Sequence, residues 1–168
     1  FTKDKDMSSA FTIGYKNVMN KLLTEIEIIY NDVSMKTVAL WDTGATNCCI
    51  SKEVVNELSL IATGKIGMQT PNGQSEANTY LVDINLPNDV KINDVQVADS
   101  EIGLQKIGML IGMNIINQGD LAISHYNSKT VFTFRMPSEH TTDYVKQIQF
   151  KNVIGKPHGK GKRKHKKR

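Results

Sequence analysis

The chain has 168 residues, of which 39% are hydrophobic and 23% are charged, which fits one globular domain with a core and a tail. The sequence contains no run of the roughly 18 to 20 apolar residues that cross a bilayer, which excludes an integral membrane protein. The net charge of +4 is uneven, because residues 156–168 hold eight Lys or Arg and no acid, whereas the other residues hold 13 Lys or Arg against 17 Asp or Glu.

Alternation of apolar and polar residues at period two predicts that most of the chain forms strands. The first two predicted strands, residues 24–30 and 35–41, are joined by a turn at residues 31–32. Further short strands are predicted at residues 48–50, 93–99 and 106–112.

Two segments have the pattern of a β-hairpin. Residues 63–86 contain a Pro-Asn-Gly turn at residues 71–73, which is typical of a tight connection between strands. Residues 119–135 turn at residues 127–128, and Pro137 ends the second strand. We therefore expect two hairpins, one in the middle and one near the end of the domain.

Helices are predicted to be few and short. Ser51 has the character of an N-cap for a helix over residues 52–60, and residues 114–117 form at most one or two helical turns. Residues 1–19 are predicted to be an N-terminal segment outside the domain, and the weak pattern of residues 138–155 predicts an irregular extension. Many short strands with two small helices predict an all-β fold with minor helix, as a closed sandwich or barrel.

The basic tail, residues 156–168, is rich in Gly and lacks apolar side chains beyond one Pro. It cannot bury a core, and we expect it to be disordered. Its cations could bind RNA, DNA or another anionic surface through phosphate contacts. A solubilising end, or a linker to a neighbouring domain, explains the same composition.

The two cysteines, Cys48 and Cys49, are adjacent. Neighbouring residues on a strand point to opposite faces, so a disulfide between them would be strained. We expect two reduced thiols in the core, which favours a cytoplasmic location. These cysteines and the four histidines show no metal-ligand spacing, so neither a metal nor another cofactor is expected.

Residues 40–47 read LWDTGATN and place an acidic residue, Asp42, directly after the apolar strand 35–41. A carboxylate that follows a buried strand either caps a turn or takes part in chemistry. Many Asp-Thr-Gly triplets belong to the first class, and the triplet alone does not decide between them. Trp41, by contrast, is expected to be a core residue or to line a cleft wall.

A second motif, MLIGMNII, follows about 70 residues after the Asp-Thr-Gly-Ala motif. Together, in this order and with a hairpin between them, the two motifs resemble those of the retropepsin-like aspartic proteases, especially bacterial and mobile-element members. The resemblance covers roughly residues 20–137. It implies a single-domain acid-protease fold, a closed β barrel, that is active as a homodimer.

The resemblance implies an aspartic endopeptidase with Asp42 as the catalytic residue, supported by Thr43, Gly44 and Ala45. In this chemistry one carboxylate activates a water molecule, while a second, protonated carboxylate polarises the scissile carbonyl. The chain contains no second Asp-Thr-Gly or Asp-Ser-Gly triplet. The second carboxylate must therefore be Asp42 of another copy, related by a two-fold axis.

In the second motif, the resemblance implies that Leu110, Ile111 and Gly112 support the catalytic loop.

Because the hairpin lies between the two motifs, the resemblance implies that it is a flap, with its turn at Pro71, Asn72 and Gly73, which closes over the substrate. A plain surface hairpin is equally compatible with the residues alone.

Two positions depart from the retroviral pattern, in which an acid and an arginine form a pair. Thr46 and Met113 occupy these positions, and no unpaired charge is left. We expect the dimer to be supported differently.

The expected partners are a second copy of the chain, a polypeptide substrate and, through the basic tail, nucleic acid; no membrane partner is expected. Two other functions remain open. One is a nucleic-acid-binding module, although the strands lack the interleaved aromatic residues that stack on bases. The other is a retropepsin-like domain that mediates dimerisation or peptide binding without hydrolysis.

Overall fold

The computed structural model describes residues 8–70, 73–102 and 106–154. Over these residues the chain forms ten strands and three α-helices. The strands are β1 (Ser9–Gly14), β2 (Leu23–Tyr30), β3 (Val33–Trp41), β4 (Cys48–Ser51), β5 (Gly64–Thr70), β6 (Gly73–Leu86), β7 (Val90–Ser100), β8 (Ile107–Ile111), β9 (Asp120–Ser124) and β10 (Val131–Met136). The helices are α1 (Lys52–Glu57), α2 (Met113–Ile116) and α3 (Tyr144–Ile154).

Six of the strands close into a barrel. They are hydrogen-bonded in the order β2-β3-β8-β4-β7-β6, and β6 pairs back onto β2 through residues 83–85 and 27–29. β5 extends this sheet as the outer arm of a hairpin with β6. The all-β class with minor helix and the closed barrel predicted from the sequence are confirmed.

A second sheet of three strands, in the order β1-β10-β9, covers one side of the barrel. β1 was not predicted, and its residues were assigned to a segment outside the domain. In the structure Phe11 of β1 is buried, with its ring centroid 5.5 Å from that of Phe132 and 5.9 Å from that of Trp41. The folded unit therefore begins before residue 20.

The core of the protein fills the barrel and the space beneath the second sheet. Trp41 is 5% exposed, so it is a core residue, and its indole N–H donates a 2.7 Å hydrogen bond to the buried Thr24 hydroxyl. This bond satisfies the only polar atom of the indole ring, which makes its burial favourable. The end of β3 is thereby fixed one residue before Asp42.

The predicted turns at residues 31–32 and 127–128 are confirmed. In both turns the two residues have positive φ, with values of 46° at Asn31 and 53° at Asn127. Asn tolerates this left-handed backbone better than most residues. The turn predicted at Pro71, Asn72 and Gly73 lies partly outside the described residues; β5 and β6 pair up to Thr70 and Gly73 on either side of it.

The helices agree only in part with the prediction. α1 begins after Ser51, whose hydroxyl accepts a hydrogen bond from the Val54 N–H, as expected for an N-cap. It ends at Glu57 rather than residue 60, because Ser59 adopts a positive φ of 49°. The expectation of an irregular extension at residues 138–155 was wrong, because this region contains α3.

No helix in the described part of the chain is long and apolar enough to cross a membrane. The basic tail, residues 156–168, lies outside the described residues.

Candidate active site

Asp42 is held at the end of the barrel by two parallel strands. β3 and β8 run parallel, with Trp41 paired to Ile111. The backbone N–H of Asp42 donates a 2.9 Å hydrogen bond to the Ile111 carbonyl, which extends the ladder by one residue. The strand pairing thus fixes the backbone of Asp42, and its side chain is half-buried.

The residues after Asp42 fold back towards its side chain. The Gly44 N–H donates to the Asp42 carboxylate at 2.9 Å, and the Ala45 N–H donates to the Asp42 carbonyl at 3.2 Å. A Cβ atom at position 44 would lie 3.2 Å from the same carboxylate oxygen, so glycine leaves room for this close approach. The loop therefore directs a hydrogen-bond donor at the carboxylate. Thr43 is exposed to solvent.

The second motif contacts this loop directly. β8 lies between β3 and β4, and the loop of residues 42–47 crosses the end of β8. The N–H groups of Met113 and Asn114 donate to the carbonyls of Ala45 and Thr46, at 2.8 and 3.1 Å.

Gly112 packs against the backbone of the same loop. A Cβ atom at position 112 would lie 2.6 Å from the Asn47 carbonyl group. The structure thus brings Asp42–Ala45 and Leu110–Gly112 into one unit.

Asn114 is a residue of this unit that the sequence analysis did not single out. Its side-chain oxygen accepts a 2.9 Å hydrogen bond from the Cys48 N–H, and its amide nitrogen donates to the Gln96 carbonyl at 3.1 Å. Asn114 therefore ties the end of the Asp42 loop to β7. The sequence signal was one polar residue inside the apolar run MLIGMNII, and its partners are distant in sequence.

Neither Thr46 nor Met113 carries a charge, and the contacts that hold the loop are neutral as well. Two backbone hydrogen bonds and the Asn114 carboxamide link the two motifs without any charge.

The cysteines lie on two sides of β4. Cys48 is fully buried, and its sulfur accepts a 3.2 Å hydrogen bond from the Gly112 N–H. Burial raises the pKa of the Cys48 thiol to about 12. Burial also raises the pKa of Cys49, and the negative charges of Asp42 and Asp99 raise it further. Both residues are free thiols, in agreement with the prediction, and Cys49 lies within electrostatic range of Asp42.

Cys49 belongs to a small buried apolar cluster next to the Asp42 loop. It packs with two other buried residues, Ala77 of β6 and Ala98 of β7. The partly buried side chains around them are Ile66, Ile102 and Leu110. Leu110 belongs to the second motif, so this cluster connects the motif to the β5–β6 hairpin.

The hairpin extends away from the barrel. In the part of the chain that is described, β6 before Thr79 pairs only with β5, and its pairing with β5 ends at Thr79, where its pairing with β7 begins. Two contacts fasten the base of the hairpin: the Thr63 N–H donates to the Thr79 carbonyl at 2.7 Å, and the Asn78 N–H donates to the Asp99 carboxylate at 2.8 Å. The two-stranded arm is thus fixed at its base, and among the described strands neither of its outer edges is paired.

Two other features do not belong to this unit. A groove of about 560 Å³ lies on the outside of β2 and β3, and its lining includes no residue of the two motifs. Across residues 8–70, 73–102 and 106–154, no three His, Cys, Asp or Glu side chains come together as metal ligands would.

The family model described as gag-polyprotein putative aspartyl protease matches residues 26–118. Among curated protein sequences no match is found.

Solved structures with a similar fold include a retropepsin-like aspartic protease from Rickettsia conorii (15% identity, 77% of this chain and 96% of that chain, TM-score 0.50). They also include the protease of simian foamy virus (mac) (22% identity, 55% and 89%, TM-score 0.41) and the EIAV protease in complex with the inhibitor HBY-793 (23% identity, 61% and 90%, TM-score 0.44). At 15% identity the likeness to the Rickettsia conorii protease concerns the fold alone.

Proposed function

The chain belongs to the gag-polyprotein aspartyl protease family, and on this basis we propose that it is a homodimeric aspartic endopeptidase that cleaves extended polypeptides. The observation that carries the proposal is the geometry of Asp42, a half-buried carboxylate at the end of the barrel that accepts the Gly44 N–H. The second motif holds the backbone of the same loop through the carbonyls of Ala45 and Thr46, which is the support that a precisely placed reactive carboxylate needs.

The reaction requires two carboxylates, and the chain supplies one Asp-Thr-Gly loop. Two carboxylates about 3 Å apart repel each other by about 5 kcal/mol at an effective dielectric constant near 20. Since one pK unit corresponds to about 1.4 kcal/mol, the pair keeps one proton over several pH units. The ionised Asp42 takes a proton from water as the water attacks, and the protonated Asp42 of the second copy donates to the carbonyl oxygen.

β9 is the candidate contact between the two copies. Among the described strands it pairs only with β10, which leaves its other edge open, and Ile123 on this strand is 42% exposed. An open edge with exposed apolar residues is a surface on which another strand can add. α2 and residues 117–119 connect β9 directly to Gly112. A contact between two copies at β9 would therefore be linked through a short segment to the Asp42 loop.

The β5–β6 hairpin is the candidate flap. Its base packs against Cys49 and Leu110 through Ala77 and Ile66, and both edges of its arm are unpaired among the described strands. An extended substrate would lie between this arm and the Asp42 loop, where closure of the turn at Pro71, Asn72 and Gly73 would exclude water. The free thiols of Cys48 and Cys49 fit a reducing, cytoplasmic location.

The test is an Asp42→Asn variant, assayed on an unstructured protein substrate across a range of pH. We expect activity to fall by about 10²–10⁴-fold, because an amide cannot accept the proton of water. The wild type should show a bell-shaped pH profile, since neither the doubly protonated nor the doubly ionised pair is productive. Asp32→Asn, the same change in the exposed β2–β3 turn, is the matched control and should keep full activity.

Wild-type activity in Asp42→Asn would refute the proposed reaction, and a folded dimer without any proteolysis would support the non-catalytic alternative. The homodimer is tested separately by dilution. Specific activity should fall in parallel with the dimer fraction measured by analytical ultracentrifugation. A monomer that remains fully active would rule out the two-copy site.

A further inference from the structure

The base of the β5–β6 hairpin is the point at which β6 changes its partner. Its pairing with β5 ends at Thr79, and its pairing with β7 begins there, with Thr79 opposite Ala98. The Thr63 N–H donates to the Thr79 carbonyl, so the backbone groups of Thr79 face β5. Because successive residues of a strand direct their backbone groups to opposite edges, those of Asn78 face the β7 side. Asp99 would be the next partner if the ladder between β6 and β7 continued.

At Asn78 the side chain of Asp99 takes the place of the next backbone hydrogen bond. Asp99 is half-buried near the end of β7. One of its carboxylate oxygens accepts the Asn78 N–H at 2.8 Å, and the other lies 3.5 Å from the Asn78 carboxamide nitrogen. The Tyr80 hydroxyl lies near both side chains. The backbone of β6 thus separates from β7 at Asn78, while the carboxylate of Asp99 remains bonded to it.

The arm contacts the barrel in two ways that differ in their dependence on direction. Ala77 and Ile66 pack in the apolar cluster with Cys49 and Leu110. Apolar contact is non-directional, so this cluster alone lets the arm tilt. A hydrogen bond to a carboxylate is directional, and the charge makes it stronger than a bond between neutral groups. The contact with Asp99 therefore fixes the angle of the arm.

This contact is connected to the Asp42 loop through β4. The loop of residues 42–47 leads directly into β4, and Ile50 of β4 pairs with Asp99 of β7. Burial raises the pKa of Cys49, and the charges of Asp42 and Asp99 raise it further, so both carboxylates lie within electrostatic range of one thiol. The strand that begins at the Asp42 loop thus supports the residue that holds the arm.

We propose that Asp99 is a positioning residue that sets the angle between the β5–β6 hairpin and the barrel, and thereby the closure of the hairpin over a peptide at Asp42. This inference rests on the proposed peptidase function, in which the hairpin is the flap. A flap contacts the substrate both before and during the reaction. Interactions that are equal in the ground state and the transition state act on KM rather than on kcat. Loss of the Asp99 carboxylate should therefore raise KM more than it lowers kcat.

The experiment compares Asp99→Ala with Asp83→Ala as the matched control. The Asp83 carboxylate also joins β6 to β7, because it accepts the Asp94 N–H at 2.8 Å, but it does so away from the arm. Both carboxylates are partly exposed, so both variants should fold. On an unstructured protein substrate, Asp99→Ala should raise KM about tenfold, which corresponds to one lost hydrogen bond to a charged group, and change kcat less than about threefold. Asp83→Ala should keep the wild-type KM.

Backbone order parameters from NMR test the position of the arm without any turnover. In the wild type and in Asp83→Ala we expect values of about 0.85, typical of a rigid backbone, in the base of the arm at residues 64–67 and 75–78. In Asp99→Ala these values should fall below about 0.6, while those of the barrel strands stay unchanged. Asp99→Asn should keep the arm rigid and KM within about threefold of the wild type, because its amide oxygen can accept the Asn78 N–H.

Equal order parameters and equal KM for Asp99→Ala and Asp83→Ala would overturn the proposal. A fall in order parameters throughout the barrel of Asp99→Ala would also overturn it, because Asp99 would then only support the fold. A mobile arm in Asp99→Asn would exclude the hydrogen bond as the cause. If the wild type cleaved no protein substrate, the peptidase function would fail, and the order parameters would still decide whether Asp99 holds the arm.

Discussion

Replacing Gly112 by alanine is a sharp test of how the two motifs hold each other. Gly112 has φ −94° and ψ −174°, an extended backbone that alanine adopts without strain. The effect of the added methyl group is therefore steric. It would lie 2.6 Å from the carbonyl carbon and oxygen of Asn47 and 2.9 Å from the Ala45 carbonyl oxygen. All three are backbone atoms, so no side-chain rotation relieves the clash.

The size of the effect follows from these distances. Ordinary contact begins near 3.4 Å, so the Asp42 loop must move by about 0.8 Å relative to Gly112. Overpacking of this kind costs about 1–3 kcal/mol of unfolding free energy. For a domain of this size that corresponds to a Tm lower by about 2–4 °C per kcal/mol. Because a displacement of about 1 Å at a reacting group costs about 100-fold in rate, we expect peptidase activity to fall even where Gly112→Ala remains folded.

The matched control is Gly14→Ala in β1, where a Cβ atom would meet nothing within 4 Å. Thermal unfolding and peptidase rates of the two variants should be compared with the wild type at one protein concentration. Gly14→Ala should unfold near the wild-type temperature. If Gly112→Ala were as stable and as active as Gly14→Ala, the close packing of the second motif under the Asp42 loop would not matter for the site.

Three further changes test other contacts. Asn114→Leu removes the acceptor of the Cys48 N–H and should lower the unfolding free energy by about 1–3 kcal/mol, measured by urea denaturation; Asn117→Leu, at an exposed neighbour, should cost less. The Ser138 hydroxyl, the Glu139 N–H and the Arg135 guanidinium hold the pKa of Asp120 below its usual range. Its contribution to stability is therefore complete above about pH 4 and is lost as pH falls through the lowered pKa, so Asp120→Asn should be less stable than the wild type at neutral pH and approach it in acid. The raised pKa values of both cysteines predict that a disulfide reagent labels neither thiol in the folded protein at neutral pH and labels both after unfolding.

Each of these three predictions would be contradicted by a specific result. Equal urea midpoints for Asn114→Leu and Asn117→Leu would mean that the carboxamide bridge does not stabilise the loop. A stability difference between Asp120→Asn and the wild type that persists unchanged in acid would show that the carboxylate charge is not its source. Rapid labelling of the folded protein would mean that Cys48 or Cys49 becomes exposed through local opening.

The parts of the fold that sequence predicted well are those with a local cause. The strands around the turn at residues 31–32 alternate over many residues, and Ser51 caps α1 through a contact three residues away. β1 was missed because a strand of six residues with one buried side chain, Phe11, carries too little pattern. α3 was missed for the opposite reason, since its apolar residues surround the helix and follow no single face.

In the candidate site, too, the residues with a local sequence signal were predicted and those without one were missed. Asp42 and Gly112 were found because their motifs are short and contiguous. The role of Asn114 depends on Cys48 and Gln96, which lie 66 and 18 residues away. Such partners are fixed by the parallel and antiparallel pairings of β8, and a single sequence contains no local signal for them.

The position of β8 between β3 and β4 also determines when the site can form. Trp41 and Ile111 are neighbours in the sheet although about 70 residues separate them in the chain. Contacts of such long separation form late in folding, after the entropy of closing a long loop has been overcome. During synthesis, the Asp42 carboxylate therefore stays unanchored until the ribosome has released β8 and α2. A nascent chain cut short before residue 107 would carry the Asp-Thr-Gly motif without the strand that holds it.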